Sequence, residues 1–599
     1  MKLHQARVRR VILSFLFIAC YDLTACSDGT AEYPGNGSAR PSDTDSAFAD
    51  RNSSGDTDNK TDTDSWAPRD TVSSVPHAYD ILVNPYGNCP LVAVVNLREI
   101  DSSQVESVQV VVAGQGGGKD FERTYSAADA AFSVHMDSSD LTFPEDGYHV
   151  PVLGLYPNCE NEVHIVVDLL DRNSVALTLQ IETHLSKPKE ADWPPSIRVE
   201  KAVVDQMEPG WTVAEISIEP SPNPPIVVAE WTRLIAFDER GTIRWDLQLD
   251  LPKGETFTTR RSRDGNLLTG SFDTIVEVTK LGRVARTVQL PNHTLHHEIV
   301  QIGYDDNGKI ASTGGKTEYS GNLLVLASRN EASTIQDRIL ELDLSTGEVL
   351  NEWDVAAMLD PARTTFLAPE DWPAGSADWF HANGIAYSIA DESIIVSGRH
   401  QGVAKIRRDG TLVWLLAPHS GWNEPQSHKL LTAVNELGEP YSESVQLGDE
   451  AAGDSLDPEF DWIFGQHSPF LLPNGDLLIF DNGCRRHFGP PYDSYSRAVI
   501  YRIDETAMTV HQIAQFAFNR LESSYFVSNT HQLSVTGNIL IQPGGSAWNP
   551  AVFKEISPQI ADDGTITFDT VVFEATLDLN IIDLNSWYIY SFRGHRWTF

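Results

Sequence analysis

The chain has 599 residues, long enough for more than one domain and a large apolar core. Its 44 basic residues face 84 acidic ones, a net charge of −40, so it repels phosphate backbones and nucleic acid is excluded as a natural partner. Five cysteines in a chain of this length make no metal framework.

Lys2, Arg7, Arg9 and Arg10 precede an apolar run from Val11 to Ala19, too short to span a bilayer stably. Leu23-Thr24-Ala25-Cys26 then resembles a bacterial lipobox, with Cys26 as the lipidated residue and residues 1–26 as its signal peptide. Ser27 after that cysteine points to the outer membrane of a Gram-negative bacterium, facing the periplasm or the cell surface. Residues 27–76 are rich in Ser, Thr, Asp, Gly and Pro and predict a disordered tether.

From 77 to 190, short apolar runs such as Leu91-Val92-Ala93-Val94-Val95 and Val163-His164-Ile165-Val166-Val167 are separated by turn residues, the pattern of a small β-sandwich. Export to an oxidising compartment, together with the shared Asn that precedes each, predicts a disulfide between Cys89 and Cys159, leaving Cys484 single.

Residues 195–599 carry a longer repeat. A turn followed by a strand recurs at Gly241-Thr242-Ile243-Arg244-Trp245, Gly282-Arg283-Val284, Gly347-Glu348-Val349, Gly410-Thr411-Leu412, Ala507-Met508-Thr509 and Gly564-Thr565-Ile566. A second turn-strand element recurs at Asn266-Leu267, Ser393-Ile394, Asp476-Leu477 and Asn538-Ile539. Six units over about 400 residues predict an all-β chain, a six-bladed β-propeller preceded by the sandwich.

Histidine heads an apolar strand at His297, His381, His467 and His531. Equivalent positions on successive repeats converge on one mouth of a propeller channel. Strand alternation lets only one of His296 and His297 face that channel, and the eleven-residue steps His297–Gly308 and His381–Glu392 select His297. His296, His400, His419, His428 and His487 are treated as ordinary packing or surface residues. Asn383 lies two residues beyond His381, and Arg399 follows on the paired strand. Imidazoles, an amide and a guanidinium suit an anion with several oxygens, and the guanidinium argues against a divalent metal.

His296-His297-Glu298, Trp379-Phe380-His381-Ala382-Asn383-Gly384, Ser397-Gly398-Arg399, Gly465-Gln466-His467 and Phe480-Asp481-Asn482-Gly483 together resemble the bacterial arylsulfate sulfotransferases that do not use phosphoadenosine phosphosulfate. Asn84-Pro85-Tyr86-Gly87-Asn88 and Pro151-Val152-Leu153-Gly154 resemble the family's N-terminal sandwich. The resemblance implies ping-pong sulfuryl transfer between phenols without a cofactor. His467 would be the nucleophile, His297, His381, Asn383 and Arg399 would surround the sulfuryl group, and a homodimer is suggested. Trp379, Phe380, Trp422 and His531 are candidates for aryl contact. Enterobacterial members carry a cysteine pair in the loop before the nucleophile; 422–466 has none here, so that loop must be ordered otherwise. A metal-dependent propeller lyase and a non-catalytic binding propeller stay open as rivals.

Overall fold

The computed structural model describes residues 72–73 and most of 78–599. Outside the description lie 1–71, 74–77, 127–140, 142–146, 186–194, 221–230, 250–256, 291, 305–319, 330–336, 362, 364–378, 455–456, 490–494, 519–522, 545–550, 561–565 and 579–586. The signal peptide, Cys26, nearly all of the tether and the Gly308 turn are therefore outside it. Among the described residues no helix is long and apolar enough to cross a membrane.

Alternating burial along Glu160–Leu169 shows why the first described region forms sheets: every second residue faces the core. That strand lies in a five-stranded sheet with Val72–Ser73, Ser174–Glu182, Val105–Val112 and Phe121–Ser126. A three-stranded sheet of Tyr79–Val83, Ala93–Leu97 and Tyr148–Val152 accompanies it. Val108, Val110, Val163 and Ile165 from the first sheet share one core with Val95, Val150 and Val152 from the second.

Cys89 and Cys159 are both free thiols, so the expected disulfide is absent. Their surroundings explain it. Cys89 packs with Trp211, Trp245 and Leu281, in an apolar cluster shared with the larger region. Cys159 packs against the sandwich core, and its thiol lies 3.3 Å from the Gln115 side-chain oxygen. A common Asn predecessor does not bring two cysteines together.

Beyond residue 195 the chain makes successive sheets of four or five strands, antiparallel except for the short Thr432–Ala433, and a two-stranded ribbon of Ala452–Gly453 and Pro458–Phe460. Five turn-strand elements of the first kind lead into the fourth strand of a sheet: Ile243–Gln248, Val284–Gln289, Val349–Asp354, Leu412–Leu416 and Thr509–Phe516. The Gly564-Thr565 turn of the sixth lies outside the described residues, and its Ile566 begins another fourth strand, Ile566–Asp578. The second kind leads into the neighbour of the inner edge strand: Leu267–Ser271, Ser393–Gly398, Leu477–Asp481 and Ile539–Gln542. Inner edge strands Phe257–Arg261, His293–Gln301, Ala382–Ser388, His467–Leu471 and Asn529–Gln532 touch one another in that order. Trp587–Trp597 closes the ring, because it pairs with Trp211–Pro220 and touches both Phe257–Arg261 and Ile539–Gln542. Ser196–Ala202 closes it a second time from outside, along Ile566–Asp578.

The loop before His467 is ordered without cystine. The Arg363 guanidinium stacks on Trp422 at 4.3 Å and donates to the carbonyls of Pro418 and Ser420. Nearer His467, Asp461 accepts from Arg486 at 2.8 Å and lies 2.9 Å from His487. Asp481 accepts from Arg486 and Arg497, both at 2.8 Å. Burial pushes the Asp461 carboxyl up, but Arg486, His487 and Arg497 outweigh it and hold it at about 2. Removing one partner of such a buried network costs about 3–5 kcal/mol, because the other charge is left uncompensated.

Candidate functional site

Three inner strands break register at the same place. The ladders are interrupted between Leu295 and Ile299, between Ala382 and Gly384, and between His467 and Phe470. A non-glycine residue with positive φ lies within the first and third breaks, His297 at 59° and Ser468 at 52°, and just before the second, His381 at 55°. Such backbone costs on the order of 1–3 kcal/mol per residue and concentrates where a side chain must be re-aimed. The bulge also overturns the alternation rule that admitted only one of His296 and His297. Both are 4 % exposed, and their Nδ1 atoms lie 3.2 Å apart.

The bulges gather a row of imidazoles. His297 meets His381 edge-on at 4.9 Å between ring centres, His296 meets His297 at 5.3 Å, and His381 meets His400 at 5.3 Å. His296 and His400, set aside on sequence grounds, therefore belong to the cluster. Burial holds the His297 imidazole well below its usual pKa, helped by His381, His296, His467 and Arg593. His467 is likewise held well below the usual range, by burial first and then by Arg399, with His381 and Arg593 adding and the Asn482 hydrogen bond opposing. Both rings are neutral at neutral pH.

His467 is 1 % exposed, and its surroundings choose its tautomer. Nδ1 lies 2.7 Å from Asn482 Oδ1 and 3.1 Å from the Gly465 carbonyl. Both neighbours are acceptors, so Nδ1 carries the hydrogen. Asn482 cannot turn its amide round, because Nδ2 donates to Ser524 O at 2.7 Å and Val527 O at 3.3 Å. Nε2 is thus a bare lone pair, buried with no hydrogen-bond partner among the described residues. Gly465 has φ +67°, and an added Cβ would lie 2.8 Å from Cys484 Cβ, so this approach to the ring needs glycine.

Arg399 reaches the same place from the strand beside His381: its backbone N–H donates to His381 O at 3.0 Å. Its Nη2 donates to Tyr525 O at 2.9 Å, and its Nε has no hydrogen-bond partner among the described residues. Asn383 spends one amide hydrogen on Gln466 O at 2.7 Å, so it also holds the peptide just before His467. A second guanidinium went unnoticed in the sequence. Arg593, 1 % exposed, pairs with Glu298 at 2.8 Å and donates to Asn383 O at 3.3 Å, with Ser468 Oγ at 3.5 Å. Each contact falls on, or next to, one of His297, Asn383 and His467. Separations of 210 and 295 residues leave no local signal for it in the sequence (593 − 383 and 593 − 298).

The aromatic candidates serve packing. Phe380 is 1 % exposed and belongs with Trp353, Val396 and Leu415 in the core between two sheets. Its ring fills the space a side chain at Gly398 would need: an added Cβ would lie 2.4 Å from it. We expect Gly398→Ala to destabilise the fold by about 1–3 kcal/mol, measured as a lowered urea midpoint with unchanged slope. Trp379 packs at the edge of this core, and Trp422 lies within it. His531 stands beside His595 at 5.7 Å and Phe470 at 6.3 Å, in a second ring series that continues to Trp597. The structure therefore joins His297, His381, Asn383, Arg399 and His467, and places Phe380 elsewhere.

A buried neutral imidazole under the positive charge of two guanidiniums suits chemistry on an anionic group. The comparisons agree on the class: residues 197–588 match the family model described as arylsulfotransferase, and 80–184 match that of the arylsulfotransferase Ig-like domain. The chain belongs to the arylsulfotransferase family. It is 28 % identical over 576 residues to an arylsulfate sulfotransferase AssT from Escherichia coli, covering 83 % of this chain and 90 % of that one. A second, from Lelliottia amnigena, is 28 % identical over 511 residues, covering 74 % and 80 %. Among solved structures, the WD40 domain of Neurospora crassa Pan2 is similar at 9 % identity, covering 65 % of this chain and 97 % of that one, with a TM-score of 0.30.

Proposed function

We propose that this enzyme moves a sulfuryl group from a phenolic sulfate ester to a second phenol through a sulfohistidine at His467, on a six-bladed propeller. The carrying observation is the tautomer: two acceptors hold the hydrogen on Nδ1 and leave Nε2 as a buried lone pair. In the first half-reaction Nε2 attacks sulfur, the bond from sulfur to the aryl oxygen breaks, and the phenolate leaves with the electron pair. The sulfated ring keeps its Nδ1–H toward Asn482. A second phenol then loses its proton and attacks sulfur, the sulfur–nitrogen bond breaks, and His467 returns neutral.

Arg399 faces the sulfuryl oxygens and Asn383 and Arg593 hold the strands that carry them, a preorganised field for charge that develops at the transition state. The positive charges of Arg399 and Arg593 acting on His467 disfavour the metal-lyase alternative. Cys26, lipidated, would tether the enzyme to the outer membrane through residues 27–76, a reading that rests on Leu23-Thr24-Ala25-Cys26 alone.

Incubation with p-nitrophenyl sulfate, with and without phenol, tests the transfer. We expect p-nitrophenol release that rises with phenol, and in its absence an intact-mass increase of one sulfuryl group that maps to His467. No release and no adduct across a panel of aryl sulfates would remove the reading.

A further inference from the structure

Sulfuryl transfer from an aryl sulfate leaves a phenolate, and the next acceptor arrives as a phenol. One proton must be given in the first half-reaction and taken back in the second. Among the clustered rings, His297 has a route to a buried carboxylate. Its Nδ1 lies 3.2 Å from His296 Nδ1, and His296 Nε2 lies 3.5 Å from Asp337 Oδ1. Asp337 is 1 % exposed and begins the strand Asp337–Leu342, where Oδ1 also accepts from Ala382 N–H at 3.2 Å. The Ala382 hydrogen bond fixes the carboxylate against the strand that follows His381, within 3.5 Å of His296 Nε2.

We infer that Asp337 and His296 form a proton relay behind His297, which is the group that gives and takes the proton at the phenolic oxygen. The inference rests on the sulfuryl-transfer reading above. In the loaded state His296 is an imidazolium, donating from Nε2 to Asp337 and from Nδ1 to His297. His297 is then neutral with its hydrogen on Nε2, the nitrogen not engaged by His296. As the bond from sulfur to the aryl oxygen breaks, the Nε2 hydrogen passes to the phenolate oxygen. The His296 Nδ1 hydrogen passes to His297 Nδ1 in the same movement. His296 ends neutral, still donating from Nε2 to Asp337, and His297 ends neutral as the other tautomer. The second half-reaction reverses both transfers.

The arrangement keeps positive charge off His297 throughout and places it on His296, opposite a carboxylate. This fits a ring whose own protonation is opposed by burial and by Arg593. It also accounts for the bulge: without positive φ at His297, His296 and His297 would point to opposite faces of the strand and could not share a hydrogen. His296 and Asp337 act through His297, so they are positioning residues.

Leaving-group basicity separates a relay from a structural role. The measurement is single-turnover phenol release, without acceptor, from p-nitrophenyl sulfate and from phenyl sulfate by the full-length wild type, His296→Gln and Asp337→Asn. p-Nitrophenolate leaves without protonation, whereas phenolate needs it. We expect both variants to lose about 10²-fold on phenyl sulfate and less than about 5-fold on p-nitrophenyl sulfate. Equal losses on the two donors overturn the relay and leave the transferase reading standing. A wild type inert toward both overturns the transferase reading, and the relay with it. Wild-type phenyl sulfate turnover in mixtures of light and heavy water gives a test that needs no variant. A bowed dependence on deuterium fraction supports two hydrogens in flight, and a straight line overturns the concerted relay.

Discussion

His467→Ala is expected to release no p-nitrophenol above the uncatalysed rate, a loss on the order of 10⁴-fold or more, because the variant removes the atom that bonds to sulfur. Donor binding should survive, since Arg399, Arg593, His297 and His381 all remain, and equilibrium dialysis with p-nitrophenyl sulfate would show it. Near-normal turnover in the variant would eliminate His467 as the nucleophile. Asn482→Leu probes the same atom from behind. With Oδ1 gone, only the Gly465 carbonyl at 3.1 Å still favours hydrogen on Nδ1, and the tautomer with hydrogen on Nε2 becomes populated. That form has no lone pair toward sulfur. A wrong tautomer costs between about 10² and 10⁴ where an imidazole must act through one nitrogen, so kcat should fall on that scale with KM little changed. Asn482→Leu also takes the amide donor from the Val527 carbonyl and leaves Ser524 O with the Ser496 hydroxyl at 3.3 Å. A drop in Tm is therefore expected beside the kinetic loss, and the KM-against-kcat split keeps the two effects apart.

How much of this was legible follows from how far apart the contributing residues lie. The turn-strand elements are local, a few residues each, so their positions in the sheets could be anticipated from Gly241 to Thr509. His381 and His467 were legible for the same reason, one immediately before an inner strand and the other its first residue, whereas His297 lies fifth in His293–Gln301 rather than at its head. Alternation failed at His296 because it assumes an unbroken pleat, and nothing in Leu295-His296-His297-Glu298 announces positive φ at a histidine. The Asn482 motif was visible, but its task depends on which way the amide faces, and Ser524 and Val527 decide that from 42 and 45 residues away. Phe380 looked available for substrate because aromatic residues beside a histidine suit both a core and an aryl pocket. The bare face of Gly398 resolves the choice in favour of the core. The cysteine pairing failed because Cys89 is drawn into the cluster with Trp211 and Trp245, a contact between regions that spacing does not encode.

Arg399→Lys carries the second large effect, because it keeps the charge and removes the fork. In the native chain Nη2 is committed to Tyr525 O, which orients the guanidinium plane, while Nε stays available for an oxygen of the sulfuryl group. An ammonium cannot hold Tyr525 and present a planar donor edge at once. Losing one preorganised donor to developing anionic charge costs about 10² to 10³ in kcat, so Arg399→Lys should fall in that range. Arg399→Met should fall further and also shift the pH profile, whereas Arg399→Lys should not. The sign follows from His467. After burial, the Arg399 charge is the largest cause of its depressed pKa, and protonation at Nε2 destroys the nucleophile. In the wild type and in Arg399→Lys the acid limb of the first half-reaction therefore lies well below about 6.5, the ordinary histidine value. Methionine removes that positive charge, protonation becomes easier, and the acid limb moves up toward neutral pH. Single-turnover p-nitrophenol release measured across pH would show the upward shift in Arg399→Met alone. An equal shift in both variants would mean that shape rather than charge at residue 399 governs the His467 imidazole.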